Sequence, residues 1–137
     1  SQLYDEQMVE RRSSKLIKHY VNQGYWSACV ADTSFEKASD NNEYIMYVSL
    51  DVGKQCIVTG VQVEGIELKG DELLSFKPFT NVVGSVPISP RQINDQNKVL
   101  MQALRDRGMI YAYVRPSFVE HEGGTRLVWR WYGSCSL

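Results

Sequence analysis

The sequence predicts an α+β fold built from two tandem copies of one small unit, of which the first is incomplete. The repeat is direct: residues 15–24 and 25–30 are matched, 84 residues later, by residues 99–108 and 109–114. In both copies a segment with helical spacing of apolar residues ends at a glycine, and alternating segments follow it. Recurrence at a long fixed period is typical of tandem supersecondary units.

The first unit, residues 1–53, is predicted to begin with a helix. Val9, Leu16 and Tyr20 are spaced as a single buried helical face requires. Gly24 follows at the point where the chain leaves the helix, and this position often needs a positive φ. We therefore expect the helix to end just before Gly24.

Two strands complete the first unit. Residues 25–37 and 44–52 are predicted strands, the second with clear alternation of apolar side chains, and a turn rich in Ser, Asn and Asp separates them. Because only one helix precedes these strands and the chain does not begin with Met, we expect the sequence to start inside a repeat, as a processed or excised piece.

The second unit, residues 54–137, is predicted to be complete, with the order strand, helix, helix, strand, strand. Its first strand covers residues 56–65 and ends at Gly65. Gly60 interrupts the apolar pattern, and a glycine inside a strand often marks an irregularity of the ladder. We therefore expect this strand to be broken near Gly60.

Two helices follow in the second unit. Residues 71–76 are a predicted short helix with Asp71 as its cap. The second helix is announced by Ser89 at the cap, Pro90 at the first helical position and Gln92 three residues after the cap. This combination is a capping box with a starting proline, so the beginning of the second helix is well determined.

The second helix and the strands after it repeat the pattern of the first unit. The helix is predicted to end at Gly108 and to bury three residues that lie 84 positions after the apolar face of the first helix, namely Ile93, Leu100 and Leu104. Residues 110–119 form a predicted strand, and a turn at residues 121–124 leads to the last one. In that strand Trp129 and Trp131 alternate with other residues, so we expect them in the core or between modules.

The composition argues against several classes of function. The 15 basic and 16 acidic residues give a net charge of −1, so no basic surface indicates nucleic-acid binding. No apolar run is long enough to span a bilayer. No zinc-binding spacing, phosphate-binding loop or nucleophile elbow is present, and His19 and His121 lie far apart. We expect no catalysis, no cofactor and no metal.

The three cysteines are expected to be small buried or half-buried thiols. They are Cys29, Cys56 and Cys135, and none of them forms a Cys-x-x-Cys pair. A bridge between Cys56 and Cys135 is possible, and the sequence leaves it open.

The order and spacing of these elements resemble the POTRA domain, the polypeptide-transport-associated module of outer-membrane assembly and secretion proteins. Three stretches carry the resemblance: the strand pattern of residues 58–65 ending in Gly, the Leu73–Leu74 helix with the Gly84, Pro87 and Ser89 linker, and the helix-to-strand sequence Leu104, Gly108, Ala112 and Val114. The resemblance implies tandem POTRA-like modules, each a three-stranded mixed sheet covered by two helices in the order β-α-α-β-β. Met109, Cys56 and Ser134 depart from the family pattern.

The resemblance also implies a location and a role. A module of a BamA/TamA-type assembly factor is periplasmic, as the soluble part of an outer-membrane protein. It binds unfolded outer-membrane or secreted polypeptides and accessory assembly subunits, next to a carboxy-terminal β-barrel of its own protein. Binding is expected by β-augmentation, in which an extended client adds a strand to an open sheet edge.

The strand after the second helix is the expected edge. Its client-binding residues are predicted to be Ile110, Tyr111, Tyr113 and Arg115. The residues with a structural role in the motif are Gly24, Gly65, Ser89, Gly108, Ala112 and Val114. The last two are expected to face the helices.

Three alternatives stay open. The same fold serves as an interaction domain in division proteins of the FtsQ type and in two-partner secretion proteins. A small RNA-binding α+β domain would also present exposed aromatic side chains. Its binding would weaken steeply with salt, whereas strand addition would hardly respond.

Overall fold

The computed structural model describes residues 2–37 and 43–133, with side chains from Glu6 onward. The elements, in chain order, are α1 (Gln2–Asn22), β1 (Cys29–Lys37), β2 (Tyr44–Asp51), β3 (Ile57–Val58), β4 (Gly60–Val63), the 3-10 helix η1 (Gly70–Phe79), β5 (Val86–Pro87), α2 (Pro90–Asp106), β6 (Tyr113–His121) and β7 (Gly124–Tyr132). These helices and small sheets confirm the predicted α+β class. The chain divides into two compact units, Ser1–Cys56 and Ile57–Leu137, so the division lies three residues after the predicted one.

The first unit consists of α1 and an antiparallel hairpin of β1 and β2. The prediction that Leu16 is buried is wrong, because 42% of this residue is exposed. The less exposed stripe of α1 instead runs through Val9, Ser13, Ile17 and Tyr20, of which Ser13 is buried. These residues are spaced by four, four and three positions, which is one narrow line along a helix. The sequence pattern placed Val9 and Tyr20 correctly, whereas the neighbour of Leu16, Ile17, occupies the position predicted for Leu16.

The two α-helices end in the same way, with a Schellman motif. In α1 the N–H groups of Gly24 and Tyr25 donate to the carbonyl groups of Val21 and Tyr20, each at 3.0 Å. In α2 the corresponding bonds, 84 residues later, measure 2.9 Å, and the glycine is Gly108. Both glycines have positive φ, 97° in the first helix and 82° in the second. Glycine adopts this conformation without steric cost, and so the helix can end there.

The second unit contains a mixed sheet with the strand order β4-β7-β6. β4 runs parallel to β7, and β6 runs antiparallel to it. The expected irregularity near Gly60 is a break at Thr59, where β3 ends and β4 begins. The chain changes partner at this break, because β3 pairs with β5 whereas β4 pairs with β7.

The first helix of the second unit differs from the prediction. It is a 3-10 helix that begins at Gly70, so the cap assigned to Asp71 is wrong. Lys69 occupies the cap position, and its N–H donates to the Glu72 carboxylate at 2.9 Å. Gly70 has a φ of 56°, so the turn into the helix comes one residue before the expected cap.

The second helix begins as predicted. The Ser89 hydroxyl accepts a hydrogen bond from the Gln92 N–H at 3.2 Å, and the Gln92 side chain accepts one from the Ser89 N–H at 2.9 Å. Pro90 stands at the first helical position. Leu100 and Leu104 are fully buried, whereas Ile93 is half-buried. The helix start and most of its buried face were therefore predictable.

A buried polar chain ties three elements of the second unit together. Trp129 is fully buried on β7, and its indole N–H donates to the side-chain oxygen of Gln96 on α2 at 2.8 Å. The Gln96 amide then donates to the Ser75 carbonyl in η1 at 3.2 Å. A buried polar group is costly unless it is hydrogen-bonded, and here both groups of Gln96 have partners. Trp129 is therefore a core residue, while Trp131 is 37% exposed and lies against Gly65.

An ion pair joins η1 to the end of α2. The Arg107 guanidinium donates to both carboxylate oxygens of Glu72, at 3.2 and 3.3 Å, and also to the Glu67 carbonyl at 2.6 Å. The Arg107 hydrogen bond, followed by that of the Lys69 N–H, lowers the pKa of Glu72 below its ordinary value. The pair holds the amino-terminal turn of η1 beside the carboxy-terminal turn of α2.

Candidate functional site

Strand β6 is an edge of the three-stranded sheet in the part of the chain that the structure describes. It follows α2, as predicted, and pairs along its whole length with β7. The strand begins at Tyr113 and not at Ile110, because the Ala112 N–H bonds back to the Met109 carbonyl at 3.2 Å and forms a turn there. Ile110 and Tyr111 therefore lie outside the strand, where they are 66% and 80% exposed.

The hairpin turn determines which backbone groups of β6 point away from β7. His121 pairs with Gly124, so only Glu122 and Gly123 lie in the loop, and both have positive φ, 45° and 80°. This is the geometry of a two-residue type I′ hairpin. Its closing pair is hydrogen-bonded, and from there hydrogen-bonded and non-hydrogen-bonded pairs alternate along the strands.

The hydrogen bonds between β7 and the strands on its other side show independently which β6–β7 pairs are hydrogen-bonded. The Trp129 carbonyl accepts a bond from the Glu64 N–H at 2.9 Å, so the backbone of Trp129 faces β4. Trp129 pairs with Pro116 of β6, and this pair is therefore not hydrogen-bonded. Thr125, the partner of Glu120, likewise accepts a bond from the Thr59 N–H at 2.7 Å.

The open edge of β6 is formed by the backbone groups that point away from β7. Pro116 and Glu120 direct their backbone groups away from β7, and by alternation Val114 does the same. Tyr113 and Arg115, by contrast, direct theirs toward β7. Two of the predicted client-binding residues thus offer side chains to an added strand, and the backbone bonds would come from their neighbours. Counting in twos from the Glu122–Gly123 turn would have shown this in the sequence.

The side chains of Tyr113 and Arg115 form a cluster with Tyr132. The two tyrosine rings are stacked, with centroids 5.5 Å apart and an angle of 23° between their planes. The Arg115 guanidinium lies 5.3 Å from the Tyr113 centroid and 6.0 Å from that of Tyr132. All three residues are exposed, and they lie on the face of the sheet opposite α2. Ala112 and Val114 are buried, as predicted.

Two further arginines lie on the same outer face. Arg130 donates to the Glu64 carboxylate at 3.0 Å, so its charge is balanced. Arg126 donates to the neutral Gln62 side chain at 3.4 Å. Among the described residues only two ion pairs form, and neither includes Arg115 or Arg126. The outer face therefore carries a local positive charge that the balanced composition of the chain conceals.

The chemistry-bearing residues elsewhere do not converge. In residues 6–37 and 43–133, no group of three His, Cys, Asp or Glu side chains could hold a metal ion. Cys29 and Cys56 are free thiols; the prediction of a buried or half-buried thiol is wrong for Cys29, which is exposed, whereas Cys56 is half-buried and burial raises its pKa. Cys135 and Ser134 lie outside the described residues, as does the possible Cys56–Cys135 bridge. None of the described helices is long and apolar enough to cross a membrane.

Comparison with known proteins gives one kind of similarity. No protein-family model matches the chain, and no curated protein matches it. Among solved structures, the chain is similar to POTRA domains 3–5 of Haemophilus influenzae BamA, with a TM-score of 0.44 and 14% identity. The match covers 90% of this chain, which spans 48% of that protein's chain. So loose a superposition does not equate individual residues, and the candidate site is described from the contacts of this chain alone.

Proposed function

We propose that this chain is a non-catalytic interaction module that binds extended polypeptides by adding them as a strand to the open edge of β6. The observation that supports this most directly is the direction of the backbone groups at that edge. Val114 and Glu120 direct their N–H groups away from the sheet, where an incoming chain can pair with them.

The side chains beside this edge suit a client of variable sequence. Recognition through the backbone tolerates many sequences, and the exposed Tyr113 and Arg115 add contact at alternate positions of the client. On the open side, Tyr113 and Arg115 occupy non-hydrogen-bonded positions, where facing side chains come closest. A carboxylate opposite Arg115 would be favoured, because no described carboxylate pairs with that arginine.

The test is a peptide titration followed by NMR. The probe is a capped nine-residue peptide of alternating threonine and valine, with lysine at both ends. We expect shifts centred on residues 114–120 of β6. The control peptide has the same sequence with alternate backbone nitrogens methylated, so that it cannot form a ladder, and it should produce no shifts. Equal shifts with both peptides would contradict strand addition.

A matched pair of proline variants locates the site. Glu120→Pro removes a donor that faces the open edge and leaves the bonds to β7 intact, so the fold should persist while peptide binding weakens about fivefold. Val119→Pro removes a donor that faces β7 and should destabilise the sheet itself. If Glu120→Pro binds the peptide as the unchanged protein does, β6 is not the binding edge.

The biological setting that we propose is the periplasm, in an outer-membrane β-barrel assembly or protein translocation factor. The resemblance of the sequence to POTRA modules supports this setting, and unfolded outer-membrane or secreted polypeptides are the proposed clients. A direct measurement is the binding of a urea-denatured outer-membrane β-barrel protein diluted onto the chain, compared with its folded form. The proposal requires binding of the denatured form only. An interaction module of a division protein would bind neither form.

RNA binding is a second candidate that the outer face favours. Arg115 and Arg126 have no carboxylate partner in the described residues, and the exposed aromatic ring of Tyr113 lies against Arg115. Single-stranded RNA would be held through phosphates, so its affinity would fall steeply with salt. A titration with a uridine oligonucleotide at two salt concentrations separates the candidates, since the valine–threonine peptide should bind equally at both.

A further inference from the structure

Pro116 lies in the middle of the open edge of β6 and interrupts its row of hydrogen-bond donors. Its pair with Trp129 is not hydrogen-bonded, so the nitrogen of Pro116 faces the open side. The proline therefore costs β6 nothing in its pairing with β7. It removes a donor only from whatever strand approaches from outside.

We infer that Pro116 makes this edge selective for a foreign strand over a second copy of the same chain. The client half of this inference rests on the proposed function, whereas the half that concerns self-association stands without it. Two copies of the chain would meet edge to edge about a two-fold axis, in which each contributes the same strand to an antiparallel pair.

The selectivity follows from the number of carbonyl groups that each pairing leaves without a donor. A foreign strand paired along β6 meets Pro116 once, and one carbonyl of that strand is left without its donor. A second copy of β6 brings its own Pro116, so two carbonyl groups lose their donors, one in each copy. Because a carbonyl left unsatisfied is costly, the penalty for self-pairing is about twice that for the client.

The edge needs such protection because its surroundings are apolar. Phe118 and Val119, two and three residues after Pro116 along the strand, are 45% and 36% exposed. A long exposed edge with apolar side chains is a template for pairing between copies. Charged side chains or a proline are common means of blocking it, and β6 has the proline at its centre.

The test is Pro116→Ala, with Pro78→Ala as the matched control. Pro78 is also exposed, but it lies in η1, away from β6. Sedimentation equilibrium measures self-association, and the valine–threonine peptide measures client binding. One restored bond is expected to tighten peptide binding about fivefold, and two restored bonds to tighten dimerisation about 25-fold. The second factor should thus be near the square of the first.

The double variant Pro116→Ala with Glu120→Pro tests whether dimers form through the open edge of β6. It should associate no more strongly than the unchanged protein. Self-association of Pro116→Ala that does not exceed that of Pro78→Ala would overturn the inference. So would dimers of Pro116→Ala that survive the Glu120→Pro change. If no variant binds the peptide while Pro116→Ala still dimerises, the proposed function fails and the self-association half holds.

Discussion

The two units share their local structure but differ in their cores. β1 and β6 have bounds that lie 84 residues apart at both ends, and α1 and α2 end at residues with the same separation. Yet every apolar side chain that is buried in the described residues belongs to the second unit. Helix ends and hairpins are thus encoded locally, in glycines and alternation, whereas a core needs further elements to close over them.

The sheets of the two units differ in the number of their strands. In the second unit β7 is the central strand, with β4 on one side and β6 on the other. In the first unit β2, its counterpart, pairs only with β1 in the part of the chain that the structure describes. The prediction that residues 1–53 are the second half of a module agrees with this difference and stays a prediction.

The largest expected difference between the two units is in their stability when they are separated. A chain of residues 57–137 should unfold in one cooperative transition in urea, because it contains every apolar side chain that is buried in the described residues. A chain of residues 1–56 should show no cooperative transition. Circular dichroism on both fragments is the measurement, and a sharp transition in the shorter one would contradict the idea that it lacks a core.

Two leucines at the same repeat position should contribute differently to the free energy of unfolding. Leu100 is fully buried, so Leu100→Ala should lower the free energy of unfolding by about 2–5 kcal/mol. Leu16, its counterpart 84 residues earlier, is 42% exposed, and Leu16→Ala should cost less than about 1 kcal/mol. Urea titrations of the full chain measure both. Equal losses would mean that the two helices bury the same face.

The glycine at the end of α2 should tolerate few other residues. Gly108→Val should destabilise the second unit by about 1 kcal/mol or more, because valine would have to adopt the positive φ of 82°. Apart from the neighbouring backbone, no atom of the protein lies within 4 Å of a Cβ placed there, so the cost comes from the backbone conformation and not from a clash with another part of the fold. Gly108→Asn is the control, since Asn tolerates this conformation, and it should be nearly neutral. Melting curves that do not separate the two variants would refute the conformational reason.

The smallest expected effect is a pH dependence confined to the second unit. The pKa of Glu72 is lowered in the folded state, so its ionised form stabilises the fold above the ordinary carboxyl pKa of about 4.3. That contribution is lost as the pH falls through the lowered pKa. Glu72→Gln should therefore reduce the melting temperature slightly at neutral pH and not at strongly acidic pH. Glu10→Gln, on the exposed face of α1, should change neither.

Much of the fold could be predicted, because its signals are local. The capping box at Ser89, the glycine at Gly108 and the break near Gly60 each depend on a few neighbouring residues. The buried line of α1 and the cap of η1 could not be predicted in this way. Which side of α1 is buried depends on the strands that cover it, and the start of η1 depends on Arg107, 35 residues beyond Glu72.

The candidate edge was predicted in place but not in detail. The strand after the second helix is the edge among the described residues, yet the outward backbone groups are not those of Tyr113 and Arg115. That distinction depends on the phase of hydrogen bonding, which the length of the β6–β7 turn determines. The cluster of Arg115 with Tyr132 joins residues of two strands, so only the pairing register brings it together.

The parallel pairing of β4 with β7 has a mechanical consequence. In the second unit β4 is preceded by the two-residue strand β3, and β7 is the last described strand; β4 and β7 are hydrogen-bonded neighbours running in the same direction. Tension applied at the two ends of the unit would slide β4 along β7, loading the bonds of residues 60–63 together and not one after another. A pull of this kind would therefore shear the two strands and not unzip them.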